Sequence, residues 1–185
     1  MTTKTANNLG GGLLLPFRET LPEVAPDAFV AHGATVIGDV EIGSGCSIWY
    51  GCTLRGDVNV IRVGELTNIQ DGSVVHVTRR THGTFIGSRC TIGHGAIIHG
   101  CTLQDGSYIG MRATVMDGAV VESGAMVAAG ALVTPGRRVP SGELWAGSPA
   151  KLMRELRPDE LEYIEDAARQ YARLGRTYRE RLTGS

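Results

Sequence analysis

The stretch 103–133 reads LQDGSY, IGMRAT, VMDGAV, VESGAM, VAAGAL and V when it is cut every six residues. An aliphatic residue opens each block, and a serine or alanine stands four places after it. Amphipathic helices have a period of 3.6 and alternating strands a period of 2, so neither produces this pattern. A period of six indicates a hexapeptide β-helix, in which each block is a short strand and a turn. Three blocks close one triangular coil, and coils stack at about 4.8 Å.

The same period extends towards the N-terminus, with interruptions. The aliphatic residues predicted to point inward there are Val30, Val36, Ile42, Ile48, Leu54, Val60, Val63, Ile69, Ile86, Ile92 and Ile97. The four cysteines all occupy the small position of a block: Cys46, Cys52, Cys90 and Cys101. They form no C-x-x-C pair, which disfavours a thiolate metal site or a redox motif. We therefore expect them to be buried packing residues.

Two irregularities interrupt the period beside a group of histidines. Residues 77–84, VTRRTHGT, offer no inward aliphatic residue at the right phase and are predicted to leave the coil as a short loop. The step from Ile92 to Ile97 is five residues rather than six. Departures from a local rule tend to occur at functional sites.

The composition predicts one domain with a sizeable core and excludes several classes of partner. The chain has 185 residues and a formal net charge of −1, so nothing indicates nucleic acid or an anionic membrane as a partner. No apolar run has the length of a membrane span, and residues 1–15 lack a signal peptide pattern, so we predict a cytoplasmic protein. We divide the chain into an N-terminal tail (1–20), the β-helix (21–147) and a C-terminal helical segment (148–185).

The C-terminal segment is predicted to be an amphipathic helix that begins near Pro158. Its apolar stripe has helical spacing and consists of Leu161, Ile164, Ala168, Tyr171, Leu174 and Tyr178. Proline, followed by Asp159 and Glu160, suits the first turn, where negative charge is favoured. We expect this helix to pack along the β-helix and cover its edge.

Three histidines, His76, His94 and His99, lie within 24 residues, and neutral imidazoles with an open fourth position are what a catalytic zinc requires. His94 and His99 each follow an aliphatic residue by two places, so both should point outward near a corner. His76 precedes His94 by 18 residues, so these two should stack if the loop keeps phase. His99 then lies one corner further on, which predicts a metal site completed by a neighbouring subunit of a cyclic oligomer.

The chain resembles the gamma-class carbonic anhydrases over roughly residues 22–149 and in its C-terminal helix. The matching motifs are LRGD at 54–57, NIQD at 68–71, VH at 75–76, GHGAIIHG at 93–100 and GSPA at 147–150. The resemblance implies a left-handed parallel β-helix, a homotrimer with metal sites between subunits, and reversible hydration of CO2 to bicarbonate. It assigns His76 and His99 to one subunit and His94 to its neighbour.

The resemblance also implies roles for residues around the metal. Arg55 and Asp57 form an interface ion pair, Gln70 hydrogen-bonds the reacting solvent, and Asn68 and Asp71 support the site. Zinc is the expected ion, and iron(II) or cobalt(II) suit the same ligands.

The chain departs from the fullest family pattern, because it lacks the glutamate-bearing insertions that supply a proton carrier. His82 is a candidate replacement for that proton carrier. The alternative interpretation is that His82 is an ordinary histidine of the loop. Tyr171 is a candidate residue for lining the site. The alternative interpretation is that it only packs on the apolar stripe of the helix.

Two other functions stay open. Hexapeptide β-helices include acyltransferases that use acyl-coenzyme A, in which the AGSPA motif of residues 146–150 also occurs. Three clustered histidines argue against that class. The third possibility is a metal-binding homologue with little or no anhydrase activity.

Overall fold

Two-residue strands carry the six-residue period, and the second residue of each strand points into the core. Ile109, Val115, Val121, Val127 and Val133 occupy that second position and are buried. The computed structural model describes residues 4–5 and 9–184. It is a parallel β-solenoid of about seven turns with one C-terminal helix, matching a left-handed β-helix of hexapeptide repeats, so the predicted fold is confirmed.

The strands form three faces. Face 1 contains β2 (Leu13–Leu15), the start of β5 (Thr35–Ile42), the start of β7 (Thr53–Val63), β9 (Val74–His76), β12 (Ile97–His99), β15 (Thr114–Val115) and β18 (Leu132–Val133). Face 2 contains β3 (Glu23–Val24), the ends of β5 and β7, β10 (Thr84–Ile86), β13 (Thr102–Leu103), β16 (Val120–Val121) and β19 (Arg138–Val139). Face 3 contains β4 (Phe29–Val30), β6 (Ser47–Ile48), β8 (Asn68–Ile69), β11 (Thr91–Ile92), β14 (Tyr108–Ile109), β17 (Met126–Val127) and β20 (Glu143–Gly147).

Antiparallel strands and a helix complete the chain. β1 (Lys4–Thr5) pairs with β2, β21 (Ala150–Glu155) pairs with β20, and α1 runs over Pro158–Thr183. The predicted tail (1–20) is wrong in part, because β2 already pairs in parallel with β5 and so belongs to the solenoid. In the predicted helical segment (148–185), residues 150–155 are a strand. No helix among the described residues is both long and apolar enough to be a membrane span.

Two inward positions predicted from the period are wrong by one residue. Ile97 is 44% exposed, whereas Ile98 is fully buried and pairs with the buried residues Val75 and Val115. The five-residue step therefore lies after Ile98 rather than before Ile97. Upstream, Val60 is half-buried and Ile61 is fully buried.

The error at residue 60 has a cause in the strand pairing. Gly38 of β5 pairs with Gly56 of β7, but Val40 pairs with Ile61. β7 therefore bulges between these two pairs, and its inward phase resumes later than the period predicts.

The cysteines are free and buried, as predicted. Burial raises the pKa of the Cys46, Cys52 and Cys101 thiols to about 12, so these thiols stay protonated at neutral pH.

The helix α1 covers face 3 rather than an edge of the solenoid, and it packs on β4, β6, β8 and β11. Ile164, Ala167 and Ala168 are buried in this contact. Leu161 and Leu174 of the predicted stripe are each 43% exposed, so the buried stripe is narrower than predicted. Strand β21 is what pairs with the last strand of face 3.

A carboxylate at the start of α1 makes the docking of the helix pH-dependent. Glu160 accepts hydrogen bonds from both Arg154 guanidinium nitrogens at 2.7 Å and from the Arg157 backbone N–H at 2.9 Å. The Arg154 contact, aided by that N–H, lowers the pKa of Glu160 from 4.5 to about 2. The stabilisation is therefore present above pH 4.5 and is lost as the pH falls towards about 2.

We expect Glu160→Gln to lower the thermal unfolding midpoint at pH 6, because glutamine cannot form the ion pair with Arg154. The difference from wild type should narrow progressively between pH 4.5 and about 2. Thermal melts across this pH range test the prediction. Glu162→Gln, at an exposed position of the same helix, is the control. A difference for Glu160→Gln that stays constant with pH contradicts the assignment.

Candidate metal centre

His76 and His99 lie side by side where face 1 turns into face 2. They are register partners on β9 and β12, with the His76 Nδ1 and His99 Nε2 atoms 3.1 Å apart. Two nitrogens bound tetrahedrally to one zinc ion are about 3.3 Å apart, given zinc–nitrogen bonds of about 2.0–2.1 Å. The two imidazoles therefore stand close to the separation that a shared ion requires.

The prediction that His76 stacks with His94 is wrong. The loop after His76 adds residues to its coil, so the residue one coil later is His99, 23 positions on, and not His94. The loop is closed by paired backbone hydrogen bonds between Thr78 and His82. It projects as predicted, although its first residue, Val77, is buried in the core.

A carboxylate contacts the far nitrogen of His76, the ring nitrogen that points away from His99. The His76 Nε2 atom is 3.1 Å from Asp57 Oδ1, and Arg55 donates to the other Asp57 oxygen at 2.5 Å. Burial opposes ionisation of Asp57, but the hydrogen bonds from Arg55 and His76 outweigh it and lower its pKa. Burial lowers the pKa of His76, with Asp57 acting in the opposite direction. A neutral imidazole beside a charged carboxylate is the state that metal binding needs.

Asp117, which the sequence reasoning missed, holds the far nitrogen of His99. The His99 Nδ1 atom is 2.6 Å from Asp117 Oδ1, and the Thr78 hydroxyl donates to Asp117 Oδ2 at 2.7 Å. Burial opposes ionisation of Asp117, but the hydrogen bonds from Thr78 and His99 lower its pKa. The missed signal was spacing, since Asp117 lies 18 residues after His99, close to the length of the local coil, which pairs Ile98 with Val115.

His94 lies at the opposite corner of face 1, two residues after the end of β11. Its Nδ1 atom is 2.9 Å from Asp71 Oδ2, and the two side chains are 47% and 43% exposed. Across residues 4–5 and 9–184, no three or more His, Cys, Asp or Glu side chains are grouped to hold a metal ion. One chain thus places His94 on one corner of face 1 and the His76–His99 pair on the other.

Asn68 is the first residue of β8 on face 3, Gln70 follows that strand, and both precede Asp71 at the His94 corner. Gln70 Nε2 donates to Asn68 Oδ1 at 3.0 Å, and Asn68 Nδ2 donates to the Thr91 hydroxyl at 2.8 Å. Both side chains are buried. They form a fixed polar pair on the corner that carries His94, not on the corner that carries His76.

The remaining candidates, Tyr171 and His82, lie at different corners. Tyr171 packs edge-on against Trp49, with ring centroids 5.7 Å apart. Burial raises the pKa of Tyr171, and Asp71 adds to this effect. His82 lies in the projecting loop, and a Cβ on Gly118 would stand 3.2 Å from its Nε2 atom. His82 therefore lies near Asp117, and Tyr171 near the corner that carries Asp71.

Comparison with known proteins gives two kinds of match. Residues 22–56 match the family model described as bacterial transferase hexapeptide (six repeats). A carbonic anhydrase of Geobacillus kaustophilus is 36% identical, over 90% of this chain and 91% of that protein. Gamma carbonic anhydrase 1, mitochondrial, of Arabidopsis thaliana is 53% identical over 85% of this chain, but the aligned part spans only 59% of that protein.

A solved structure shows the same fold at high sequence identity. The hexapeptide transferase family protein from Anaplasma phagocytophilum superposes with a TM-score of 0.86 at 50% identity. The match covers 89% of this chain and 97% of that one.

Proposed function

The chain belongs to the gamma-class carbonic anhydrase family, and we propose that it catalyses the reversible hydration of CO2 to bicarbonate. The ligands of the metal ion are His76, His94 and His99. Zinc is the ion that we favour, and iron(II) and cobalt(II) suit the same three imidazoles.

One observation carries this proposal, namely the arrangement of the nitrogens of His76 and His99. Each ring has its far nitrogen on a carboxylate, at 3.1 Å from Asp57 and 2.6 Å from Asp117. If those far nitrogens carry the hydrogens, the two near nitrogens face each other with lone pairs at 3.1 Å. Facing lone pairs repel unless a cation or a proton lies between them. Carboxylate–histidine pairs of this kind are typical of metal ligands.

The third ligand requires a neighbouring copy of the chain. His94 and the His76–His99 pair occupy opposite corners of face 1, so His94 of one subunit must meet the pair of another. We therefore propose a homotrimer with three sites, each between two subunits. The apolar outer residues of face 1, Val74 (40% exposed) and Ile97 (44% exposed), support burial of this face in an assembly.

When bound, the metal ion lowers the pKa of water to about 7 and so supplies a nucleophile at neutral pH. The chain's own residues position the ligands, orient solvent and CO2, and carry protons. Asp57 and Asp117 keep the N–H of His76 and His99 turned away from the ion. The buried pair of Gln70 and Asn68 presents a fixed amide for orienting solvent and CO2 at the His94 corner. His82, in the loop near Asp117, is the proposed group that carries protons to solvent, and Tyr171 is the proposed wall near Asp71.

The acyltransferase alternative has support in the family model and in the name of the Anaplasma protein, a hexapeptide transferase family protein. It gives no reason for three histidines with three carboxylate partners. A metal-binding homologue with little activity differs from the proposal only in turnover.

The cytoplasm stays our prediction for the compartment, although the Arabidopsis relative is named as mitochondrial. Cell fractionation decides between the two compartments.

We expect the purified protein to contain one metal ion per chain and to hydrate CO2 in a stopped-flow assay with a pH indicator. Removing the metal with a chelator should abolish hydration, and adding zinc or cobalt should restore it. Binding of acetyl-coenzyme A, measured in parallel by calorimetry, is the control for the alternative. A protein without stoichiometric metal contradicts the site. A metal-loaded protein that is inactive in concentrated buffer contradicts the activity alone.

A further inference from the structure

We propose that Asp117 is the positioning residue of His99, which sets its tautomer and ring direction and so determines how tightly the metal is held. This inference rests on the proposed function, since the metal is the group that His99 would bind. Asp117 lies on the coil after that of His99, at the same corner of the solenoid. It lies outside the sequence motifs that indicated the site.

Both oxygens of the Asp117 carboxylate have a partner. Oδ1 is 2.6 Å from His99 Nδ1, and Oδ2 accepts from the Thr78 hydroxyl at 2.7 Å. The Asp117 and His99 side chains are 28% and 29% exposed, so water competes only partly for these contacts. A carboxylate held from both sides cannot rotate away from the imidazole without breaking one of the bonds.

The hydrogen bond determines which His99 nitrogen has a free lone pair. An ionised carboxylate can only accept, so Nδ1 must carry the hydrogen, and Nε2 keeps its lone pair. Nε2 is the atom that stands 3.1 Å from His76 Nδ1. In the absence of Asp117, neutral His99 can place its hydrogen on Nε2, where it blocks metal binding.

Thr78 links this contact to the inserted loop. Its backbone N–H donates to the His82 carbonyl at 2.8 Å, and its carbonyl accepts from Asn59 Nδ2 at 3.1 Å. The Thr78 hydroxyl is thus held on a closed loop and steadies Asp117 from the side away from His99. Among the described residues, Thr78 forms no hydrogen bond with His99. Replacing Thr78 therefore tests whether a change in the surrounding loop affects metal binding while the carboxylate stays in place.

The experiment compares the zinc affinity of Asp117→Ala, Asp117→Asn and Thr78→Val in the assembled protein, by competition with a chromophoric chelator. Outer partners of metal-bound histidines contribute about 10–100-fold to affinity, so Asp117→Ala should weaken zinc binding by that factor. Asp117→Asn, which keeps an acceptor for His99 Nδ1–H, should lie between it and wild type. Thr78→Val should stay within about threefold of wild type.

Asp105→Asn is the matched control, because Asp105 caps the Ser88 backbone N–H at 2.9 Å on another corner and contacts no histidine. Its affinity should equal that of wild type. A second readout needs no metal: long-range proton–nitrogen NMR of the metal-free protein should show a fixed hydrogen on His99 Nδ1, and Asp117→Ala should lose it.

The proposal fails if Asp117→Ala binds zinc within about threefold of wild type. It also fails if Thr78→Val weakens binding as much as Asp117→Ala, since a general distortion of the corner would then explain both. If wild type binds no zinc, the proposed function fails, and the tautomer measurement still decides whether Asp117 positions His99.

Discussion

A one-to-one mixture of His76→Ala and His94→Ala chains, unfolded and reassembled together, should recover about a quarter of the wild-type metal sites. Each variant alone should hold almost no metal. The recovery follows from the proposed shared site, which takes His76 and His99 from one chain and His94 from the next. A site is intact only where a His94→Ala chain supplies the pair and a His76→Ala chain supplies His94.

The loss of metal affinity in each single variant should exceed the roughly 10–100-fold loss that follows removal of an outer partner, because a direct ligand is missing. Metal content by elemental analysis and CO2 hydration by stopped flow should fall and recover together. The assembled fraction is isolated by size exclusion before either measurement.

The matched control mixes His76→Ala with His99→Ala. These residues lie on the same corner, with facing nitrogens 3.1 Å apart, so both must come from one chain. No arrangement of these two variants produces an intact pair, and no recovery is expected. Recovery in this control, or its absence in the first mixture, contradicts the division of ligands between subunits.

Replacing Ile61 by alanine should lower the free energy of unfolding by about 2–5 kcal/mol, because the side chain is fully buried and a cavity remains. Val60→Ala should cost less than about 1.5 kcal/mol, since Val60 is only half-buried. Denaturant unfolding at one fixed protein concentration measures both, because assembly adds to the apparent stability.

This pair of variants separates two registers of the same strand. The six-residue period places Val60 in the core, whereas the bulge in β7 places Ile61 there. Ile109→Ala, in a regular coil, is the positive control for a buried isoleucine. A larger loss for Val60→Ala than for Ile61→Ala contradicts the bulge.

The sequence alone was sufficient for the regular part of the fold. From Leu103 onward the inward positions match the prediction at every block, and the four cysteines are buried as their place in the period indicates. The reason is that each regular block has one residue that must point inward, so the register repeats without reference to the rest of the chain. The start of the helix at Pro158 was also predictable, because local capping and charge preferences mark it.

Contacts between coils were not predictable where residues are inserted. The bulge in β7 and the loop after His76 change the number of residues in a coil, and a period cannot show where the extra residues go. For this reason the sequence paired His76 with His94, whereas the structure pairs it with His99.

By itself, the sequence determined the β-solenoid and the clustering of the three histidines, and it led to the hypothesis of a site shared between subunits. Only the tertiary structure decided which two histidines share a corner and which carboxylates hold them, Asp57 for His76 and Asp117 for His99. The physical reason is that hydrogen bonds between stacked coils join residues 18 to 23 positions apart. Their partners depend on the exact length of the intervening coil, which includes every bulge and loop.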